Sequence, residues 1–180
     1  MHSVSSPGMP SEDESGPAIS IVCSGNWWVA SDQIGPMLLK RMEGRYDAAV
    51  EIHEIGTAAF ALLDCLKSQD LMLIVDACVL GGAPGEIHVI RPDLAASSGF
   101  PSNPYQSNLH QIGPMETLMV AGHLYPQILP KSIRLILIET EGLEAAQMNA
   151  ACERAVSIID KAVGDAKDRF GRITGCGCSH

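Results

Sequence analysis

The stretch that decides the fold is ISIVCSGNWWVASDQIGPMLL, residues 19–39. A short β-branched run ends at Ser24, a glycine and an asparagine follow, and a carboxylate, Asp32, stands where a helix is expected to begin. This order predicts the first strand, first turn and first helix of an α/β sheet. Open α/β sheets bind their ligands at the carboxyl ends of the strands. Asp32 is therefore a candidate site residue.

The chain is long enough for one domain with a substantial core, because it has 180 residues and 46% of them are hydrophobic. We expect a single α/β domain over residues 18–170. It follows a disordered acidic leader at 1–17 and precedes a flexible Cys/Gly tail at 171–180. The Cys176-Gly177-Cys178 tail lacks the second, spaced pair of ligands that a zinc site requires.

The charge and the cysteines limit the possible partners and compartments. A net charge of -9 and a pI near 5.0 argue against nucleic acid as a partner. No segment has the ~20 apolar residues of a membrane span, and the amino terminus does not resemble a secretory signal. The six cysteines do not form a disulfide framework. We therefore expect a cytoplasmic protein with no membrane partner.

Hydrophobic periodicity predicts the remaining elements. The predicted strands are 19–23, 46–53, 71–76, 86–90 and 132–139. The predicted helices are 32–42, 58–67 with Thr57 as N-cap, 114–124, and a long last helix with an apolar face from Met148 to Ala166. Residues 91–108 are rich in Pro, Ser and Asn and are predicted to form a loop.

The alternation of these elements favours an α/β fold with a mainly parallel twisted sheet and helices on both sides, in three α/β/α layers. The connection between the strands at 71–76 and 86–90 is too short for a crossover helix. The strand at 86–90 is therefore expected to run antiparallel to its neighbour.

Three side chains are candidates for chemistry: Asp32, Asp76 at the end of the apolar strand, and His110 just before a predicted helix. Two carboxylates and one imidazole at one edge of the sheet suit a borderline divalent ion such as nickel or zinc, or a general acid–base pair. Each residue also has a structural alternative. Asp32 is placed to be a helix N-cap, Asp76 to cap a turn, and His110 to be an ordinary structural histidine.

Five motifs together carry a resemblance to a known family. They occur in this order: Gly25-Asn26-x5-Asp32-x2-Gly35-Pro36, Gly56-Thr57-Ala58, Ile74-Val75-Asp76-Ala77, Pro84-Gly85-Glu86-Ile87 and His110-Gln111-Ile112-Gly113. In this order and register, the chain resembles the hydrogenase maturation proteases over residues 19–163.

The resemblance implies both a fold and an activity. The fold is a five-stranded sheet flanked by helices, with one antiparallel edge strand. The implied activity is that of an aspartic-type endopeptidase that trims the carboxy terminus of a nickel–iron hydrogenase large-subunit precursor after nickel insertion. Asp32, Asp76 and His110 match the family's nickel-contacting positions. The nickel would be carried by the substrate, so no permanent cofactor is expected.

The sequence departs from the family pattern beside the site. Ser31-Asp32 replaces two adjacent acids, Ile55 replaces a glycine in Glu54-Ile55-Gly56-Thr57, and Glu139-Thr140-Glu141-Gly142 replaces a proline-bearing turn. Trp27 and Trp28, in the loop before Asp32, are expected to pack over the first helix. The alternative is an exposed anchor for a partner protein.

Two further functions stay open. One is a binding protein that checks nickel loading of a hydrogenase subunit without cutting it, and the other is a metal-dependent hydrolase for small substrates. Nucleotide binding is excluded, because residues 24–27 match neither a dinucleotide fingerprint nor a P-loop. A serine or cysteine nucleophile is poorly supported, because no motif pairs one with a base.

Overall fold

The computed structural model describes residues 18–94 and 113–171. The strands are β1 (Ile19–Ser24), β2 (Val50–Gly56), β3 (Leu71–Cys78), β4 (Ile87–Ile90) and β5 (Ile133–Glu139). The α-helices are α1 (Ile34–Met42), α2 (Pro114–Leu124) and α3 (Ala145–Gly171). Short 3₁₀ helices cover Ala30–Asp32, Ala59–Cys65 and Pro126–Ile128.

The five strands form one sheet in the order β2-β1-β3-β5-β4. The first four are mutually parallel, whereas the edge strand β4 runs antiparallel to β5. This confirms the predicted mainly parallel sheet and its antiparallel edge strand. The short β3–β4 connection explains the antiparallel direction, since it contains no crossover helix.

Two apolar layers cover the sheet. On one face, α1 and α3 pack on alternate strand residues such as Ile21, Leu73 and Ile136. On the other face, α2 and the 3₁₀ helix at 59–65 pack on the intervening residues, including Ile74 and Leu135. The predicted α/β/α layering is therefore confirmed. Within residues 18–94 and 113–171, none of the helices combines the length and the apolar composition that a membrane crossing needs.

Two predicted elements differ from the structure by more than two residues or in type, whereas α1 begins at Ile34 instead of residue 32. The second strand begins at Val50 rather than at residue 46, because Asp47 closes a turn by accepting hydrogen bonds from the backbone N–H groups of Ala49 and Val50. The predicted helix at 58–67 is a shorter 3₁₀ helix, and its N-cap is Ala58 instead of Thr57.

Some predictions fall outside the described residues. They are the leader at 1–17, the part of the 91–108 loop from residue 95 onward, His110, and the tail from residue 172, which includes Cys176 and Cys178.

Candidate functional site

The candidate site lies where the order of the strands reverses. From β1 the chain crosses to β2 on one side and then returns to β3 on the other, so β1 lies between the two. The helices that follow such diverging connections leave a crevice at the carboxyl ends of the central strands, and this is where open α/β sheets bind ligands. Asp32 follows β1, and Asp76 lies near the carboxyl end of β3.

Two glycines let the backbone around Asp32 approach the end of β1. Gly25 has a φ of 139°, and a Cβ at this residue would lie 2.3 Å from the Asp32 carbonyl oxygen. At Gly35 a Cβ would lie 1.8 Å from the Ser24 carbonyl oxygen. The N–H of Asn26 donates to the Asp32 carbonyl oxygen at 2.8 Å. The spacing of the first family motif therefore has a steric cause, since larger residues would push the Asp32 segment away from the sheet.

Asp32 does not act as the N-cap that the structural alternative described. It ends the 3₁₀ helix at 30–32, the N-cap of α1 is Gln33, and no side chain caps the N-terminus of α1. Partial burial of its carboxyl raises the pKa of Asp32 above its usual value. Because this side chain does not cap α1, the Asp32 carboxyl is available to a ligand.

Asp76 is the more strongly perturbed carboxyl. It lies within β3, which continues for two residues beyond the predicted end, and it pairs with Leu137 of β5. The pKa of Asp76 is raised to about 7, chiefly by burial and also by the nearby Asp32 charge, although hydrogen bonds from Ser24 and from the N–H of Ala77 partly oppose the shift. Two carboxyls that interact in this way favour a shared proton or a bound cation.

Asp76 does not cap the turn after β3, contrary to its structural alternative. Its Oδ1 accepts a hydrogen bond from the N–H of the next residue, Ala77, at 3.0 Å, within β3 and not in the turn. The turn is instead held by Glu139 Oε2, which accepts the N–H groups of Leu80 and Gly82 at 2.7 and 3.1 Å.

Both carboxylates line one open cleft with a volume of about 410 Å³. Its walls also include residues from β1, from the end of β3, from the start of α2 and from the segment after β5, namely Ser24, Cys78, Gly113, Pro114 and Thr140. His110 lies outside the described residues, so its position relative to Asp32 and Asp76 stays a prediction. The sequence places it three residues before Gly113, which lines the cleft.

The sequence did not single out Cys78 as a residue of this region. Like Cys23, Cys65 and Cys152, it lies in an apolar segment of the sequence, and this context predicts a small core residue. The structure buries those three but leaves Cys78 half-buried in the wall of the cleft. Its spacing of two residues from Asp76 was the available signal, since alternate strand residues share a face.

The two tryptophans do not pack over α1 as expected. Trp28 is 93% exposed and Trp27 is 43% exposed. Polar groups hold their backbone: Asn26 Oδ1 accepts the N–H of Trp28 at 2.9 Å, and Gln33 Nε2 donates to the Trp27 carbonyl oxygen at 2.6 Å. The alternative of an exposed anchor is therefore the one consistent with the structure.

Comparison with known proteins gives a family match and a curated relative. The family model for hydrogenase maturation protease (HycI) matches residues 36–165. The hydrogenase expression/formation protein HoxM of Azotobacter vinelandii is 26% identical over 130 residues, which are 71% of this chain and 60% of HoxM. The chain thus spans about three fifths of the length of the curated relative it matches.

Three solved structures share the fold. The hydrogenase maturating endopeptidase HybD of E. coli superposes with a TM-score of 0.61 at 24% identity, over 81% of this chain and 93% of HybD. A hydrogenase 2 maturation peptidase from a Thaumarchaeota archaeon gives 0.59 at 21% identity, over 82% and 98%. The NiFe hydrogenase maturation protease HycI of Thermococcus kodakarensis gives 0.59 at 20% identity, over 82% and 93%.

The family match covers most of the folded domain, from the start of α1 into α3, and includes the Asp76 and His110 motifs. The resemblance inferred from five short motifs is thereby confirmed. This chain belongs to the hydrogenase maturation protease family.

Proposed function

We propose that this protein is an endopeptidase that removes the carboxy-terminal extension of a nickel–iron hydrogenase large-subunit precursor after nickel has been inserted. Family membership supports the class of reaction. The observation that carries the proposal is the pairing of Asp32 and Asp76 in one open cleft at the reversal of strand order. An open cleft suits a flexible peptide segment better than an enclosed pocket would.

In this proposal the nickel belongs to the substrate. Asp32, Asp76 and His110 contribute two carboxylates and one imidazole, which complete the coordination of an ion already held by thiolates of the precursor. Oxygen and nitrogen ligands bind a borderline divalent ion without displacing its thiolates. Cleavage then depends on nickel loading, because the precursor without nickel lacks the group that the cleft recognises.

The acid–base properties of the cleft support hydrolysis. A carboxyl whose pKa is about 7, as for Asp76, is close to half-ionised at neutral pH and suits general acid–base catalysis. A cation in the cleft favours the ionised form, so arrival of the nickel-loaded precursor would convert Asp76 to a carboxylate. Water polarised by the ion, with Asp76 or Asp32 as base, is the hydrolytic route we propose.

The main alternative is a protein that binds the nickel-loaded subunit without cutting it, motivated by the altered segments beside the site. Ile55, which replaces a glycine, is 8% exposed and belongs to the apolar cluster beneath the 3₁₀ helix at 59–65. The turn at 140–143 closes without proline, through Gly142 at a φ of 68° and a hydrogen bond from the N–H of Leu143 to the Thr140 carbonyl oxygen. Both changes are accommodated structurally, so they give no reason to expect loss of cleavage.

The experiment is mass spectrometry of a hydrogenase large-subunit precursor incubated with this protein, with and without prior nickel loading. We expect loss of a carboxy-terminal peptide only from the nickel-loaded precursor. Asp165→Asn is the matched control for substitution of a cleft carboxylate and should leave this cleavage unchanged. Asp165 is an exposed carboxylate on α3, remote from the cleft.

Two other outcomes would contradict the proposal. An intact precursor in a stable complex with the protein would favour the nickel-checking binder. Hydrolysis of small amide or ester substrates, with no action on either form of the precursor, would favour the small-substrate hydrolase.

A further inference from the structure

A second group of potential metal ligands lies at the β3–β5–β4 corner of the sheet. Cys78, His88 and Glu139 each offer one ligand atom, and these three atoms all lie within 4.8 Å of one another. Cys78 stands opposite Glu139 in the parallel register, and His88 stands opposite Leu137 in the antiparallel register. Since opposite and alternate residues share a face, the three side chains project from the same side of the sheet.

The carboxylate of this group is buried without a compensating charge. Glu139 is 0% exposed, and it forms no ion pair among the residues that the structure describes. One oxygen, Oε2, accepts the backbone N–H groups of Leu80 and Gly82, whereas Oε1 is buried with no hydrogen-bond partner among the described residues. A buried carboxylate with a free oxygen is costly unless a cation lies beside it.

The imidazole has the same property. His88 Nε2 is buried and has no hydrogen-bond partner among the described residues. The turn between β3 and β4 closes over it, because a Cβ at Gly82 would lie only 3.3 Å from this nitrogen. This imidazole nitrogen and the carboxylate oxygen of Glu139 are both buried beside a thiol, and neither has a partner in residues 18–94 and 113–171. Together the three groups form a set of electron-pair donors.

We propose that Cys78, His88 and Glu139 bind a divalent ion of the zinc class, which is carried by this protein and not by its substrate. Thiolate, imidazole and carboxylate are the three ligand types that zinc takes in proteins. Zinc bond lengths of about 2.0–2.3 Å place the ligands of a tetrahedral site roughly 3.3–3.8 Å apart, so side-chain shifts of about 1 Å close the cluster. Binding releases the Cys78 proton, and a water or a fourth group completes the coordination.

This site is distinct from the Asp32–Asp76 pair. His88 and Glu139 do not belong to the walls of the cleft, whereas Cys78 borders both. The two backbone hydrogen bonds to Glu139 Oε2 orient the carboxylate, as the second contacts of metal ligands commonly do. The ion would tie the edge strand β4 and the turn at 79–86 to β3 and β5, and would fix one wall of the cleft. It contrasts with the sequence-based expectation of no permanent cofactor.

The test measures zinc binding by the full-length chain in competition with a chromophoric chelator. Cys176→Ser and Cys178→Ser are introduced together as the background, since these tail thiols are themselves soft-metal ligands. We expect one equivalent of Zn²⁺ in this background. Cys78→Ser, His88→Ala and Glu139→Gln should each weaken its binding by at least about 100-fold, because even groups that only orient ligands contribute 10–100-fold.

Controls separate this site from other thiols and from the cleft. Cys152→Ala removes a thiol buried in the α3 layer, and Asp76→Asn removes a carboxylate of the cleft. Both variants should still bind one equivalent of Zn²⁺. Substitution with Co²⁺ should produce a thiolate-to-cobalt charge-transfer band that disappears in Cys78→Ser. Glu139→Gln keeps an oxygen for the Leu80 and Gly82 N–H groups, so it tests the charge if His88→Ala fails to fold.

Three results would overturn the inference. The first is that the background protein binds no Zn²⁺. The second is that Zn²⁺ binding persists in all three ligand variants. The third is that Asp76→Asn loses Zn²⁺ binding as fully as Glu139→Gln does. The precursor assay reports on a different ion, because the proposed nickel recognition uses Asp32, Asp76 and His110 and none of the three proposed zinc ligands. Failure of one proposal is therefore distinguishable from failure of the other.

Discussion

The two faces of strands β3 and β5 differ sharply although they are built from alternate residues of the same segments. Toward α1 and α3, the side chains remain apolar to the ends of the strands, as at Val75, Ile136 and Ile138. Toward α2, the apolar run stops before the carboxyl ends, where Asp76 and Glu139 take over. One face thus supplies stability along its whole length, whereas the other supplies it only up to the edge where ligands bind.

The difference shows how a small domain carries costly groups without losing its fold. A buried or half-buried carboxylate destabilises the region around it, and uninterrupted packing on the opposite face of the same strand offsets the cost. Substitutions should therefore separate activity from stability according to the face on which they fall.

The largest separation is expected for Asp76→Ala. Removal of this carboxylate should lower precursor processing by at least about 10³-fold, within the 10²–10⁴-fold range of a general acid–base group, while the fold persists. His110→Ala should behave in the same way. Mass spectrometry of the nickel-loaded precursor measures processing, and circular dichroism measures folding. Full processing by both variants would remove the site assigned here, whereas Asp165→Asn should process normally.

On the apolar face, Ile136→Ala should lower stability and leave the catalytic groups in place, which is the opposite of Asp76→Ala. Ile136 is 0% exposed between the sheet and α3, and such truncations cost about 2–5 kcal/mol of unfolding free energy. Leu137→Ala, on the next residue and the other face, should cost less because Leu137 borders a cavity beside the cleft. Urea denaturation of both variants tests the comparison, and equal losses of stability would break it.

Gly35→Ala should destabilise the fold next to the candidate site, because Gly35 packs the start of α1 against the end of β1. The added Cβ would lie 1.8 Å from the Ser24 carbonyl oxygen, so the backbone must shift, at a cost of about 2–3 kcal/mol. Gly164→Ala is the matched control. Apart from its chain neighbours and the backbone of α3 itself, no described atom lies within 4 Å of a Cβ there. The residue is exposed within α3, so a gain of about 0.5–1 kcal/mol is expected. Urea midpoints measure both, and a neutral Gly35→Ala would contradict the steric role of this glycine.

The smallest effect is a pH dependence of stability caused by Asp76. Its pKa is raised from 3.8 to about 7 in the folded protein, so between these values the folded state binds more protons than the unfolded state. Stability contributed by this group is therefore present below pH 4 and is lost as the pH rises toward 7. Three pKa units correspond to at most about 4 kcal/mol, and contact with cleft water reduces this to roughly 1–2 kcal/mol.

Asp76→Asn removes that titration. The variant should be more stable than the parent at pH 8, and the difference should shrink at pH 4. Thermal unfolding at the two pH values measures it. A constant difference across this range would show that the carboxyl titrates normally in the folded protein.

Much of the fold was predictable because its strongest signals are local. The continuous apolar runs of β3 and β5 and the periodic face of α3 identify buried strands and an amphipathic helix without any knowledge of their neighbours. The second strand and the 59–65 segment were less predictable. In these, an Asp47 turn and i to i+3 hydrogen bonds override the alternation of apolar and polar residues.

The candidate site was predictable only where a single strand end signalled it. Asp32 and Asp76 each follow or end an apolar strand, so both could be identified from the sequence. The grouping of Cys78, His88 and Glu139 depends on the register of three strands, two parallel and one antiparallel, which local pattern does not determine. The exposure of Trp28 depends in the same way on hydrogen bonds to Asn26 and Gln33 that hold the loop outward.

The parallel pairing of the central strands has a consequence for how the protein acquires its activity. Ile19 pairs with Leu71, so the β1–β3 contacts that bring the two carboxylates together join residues 52 positions apart (71 − 19). Met72 pairs with Ile133, 61 positions apart (133 − 72), and this pairing places the segment after β5 beside the cleft. The entropy cost of closing such long loops precedes the stabilising contacts, so folds of this kind assemble more slowly than helical bundles do. A chain still emerging from the ribosome has Asp32 long before it has β3. The proposed peptide-cutting cleft therefore cannot form until β3, the start of α2 and the segment after β5 have all been synthesised.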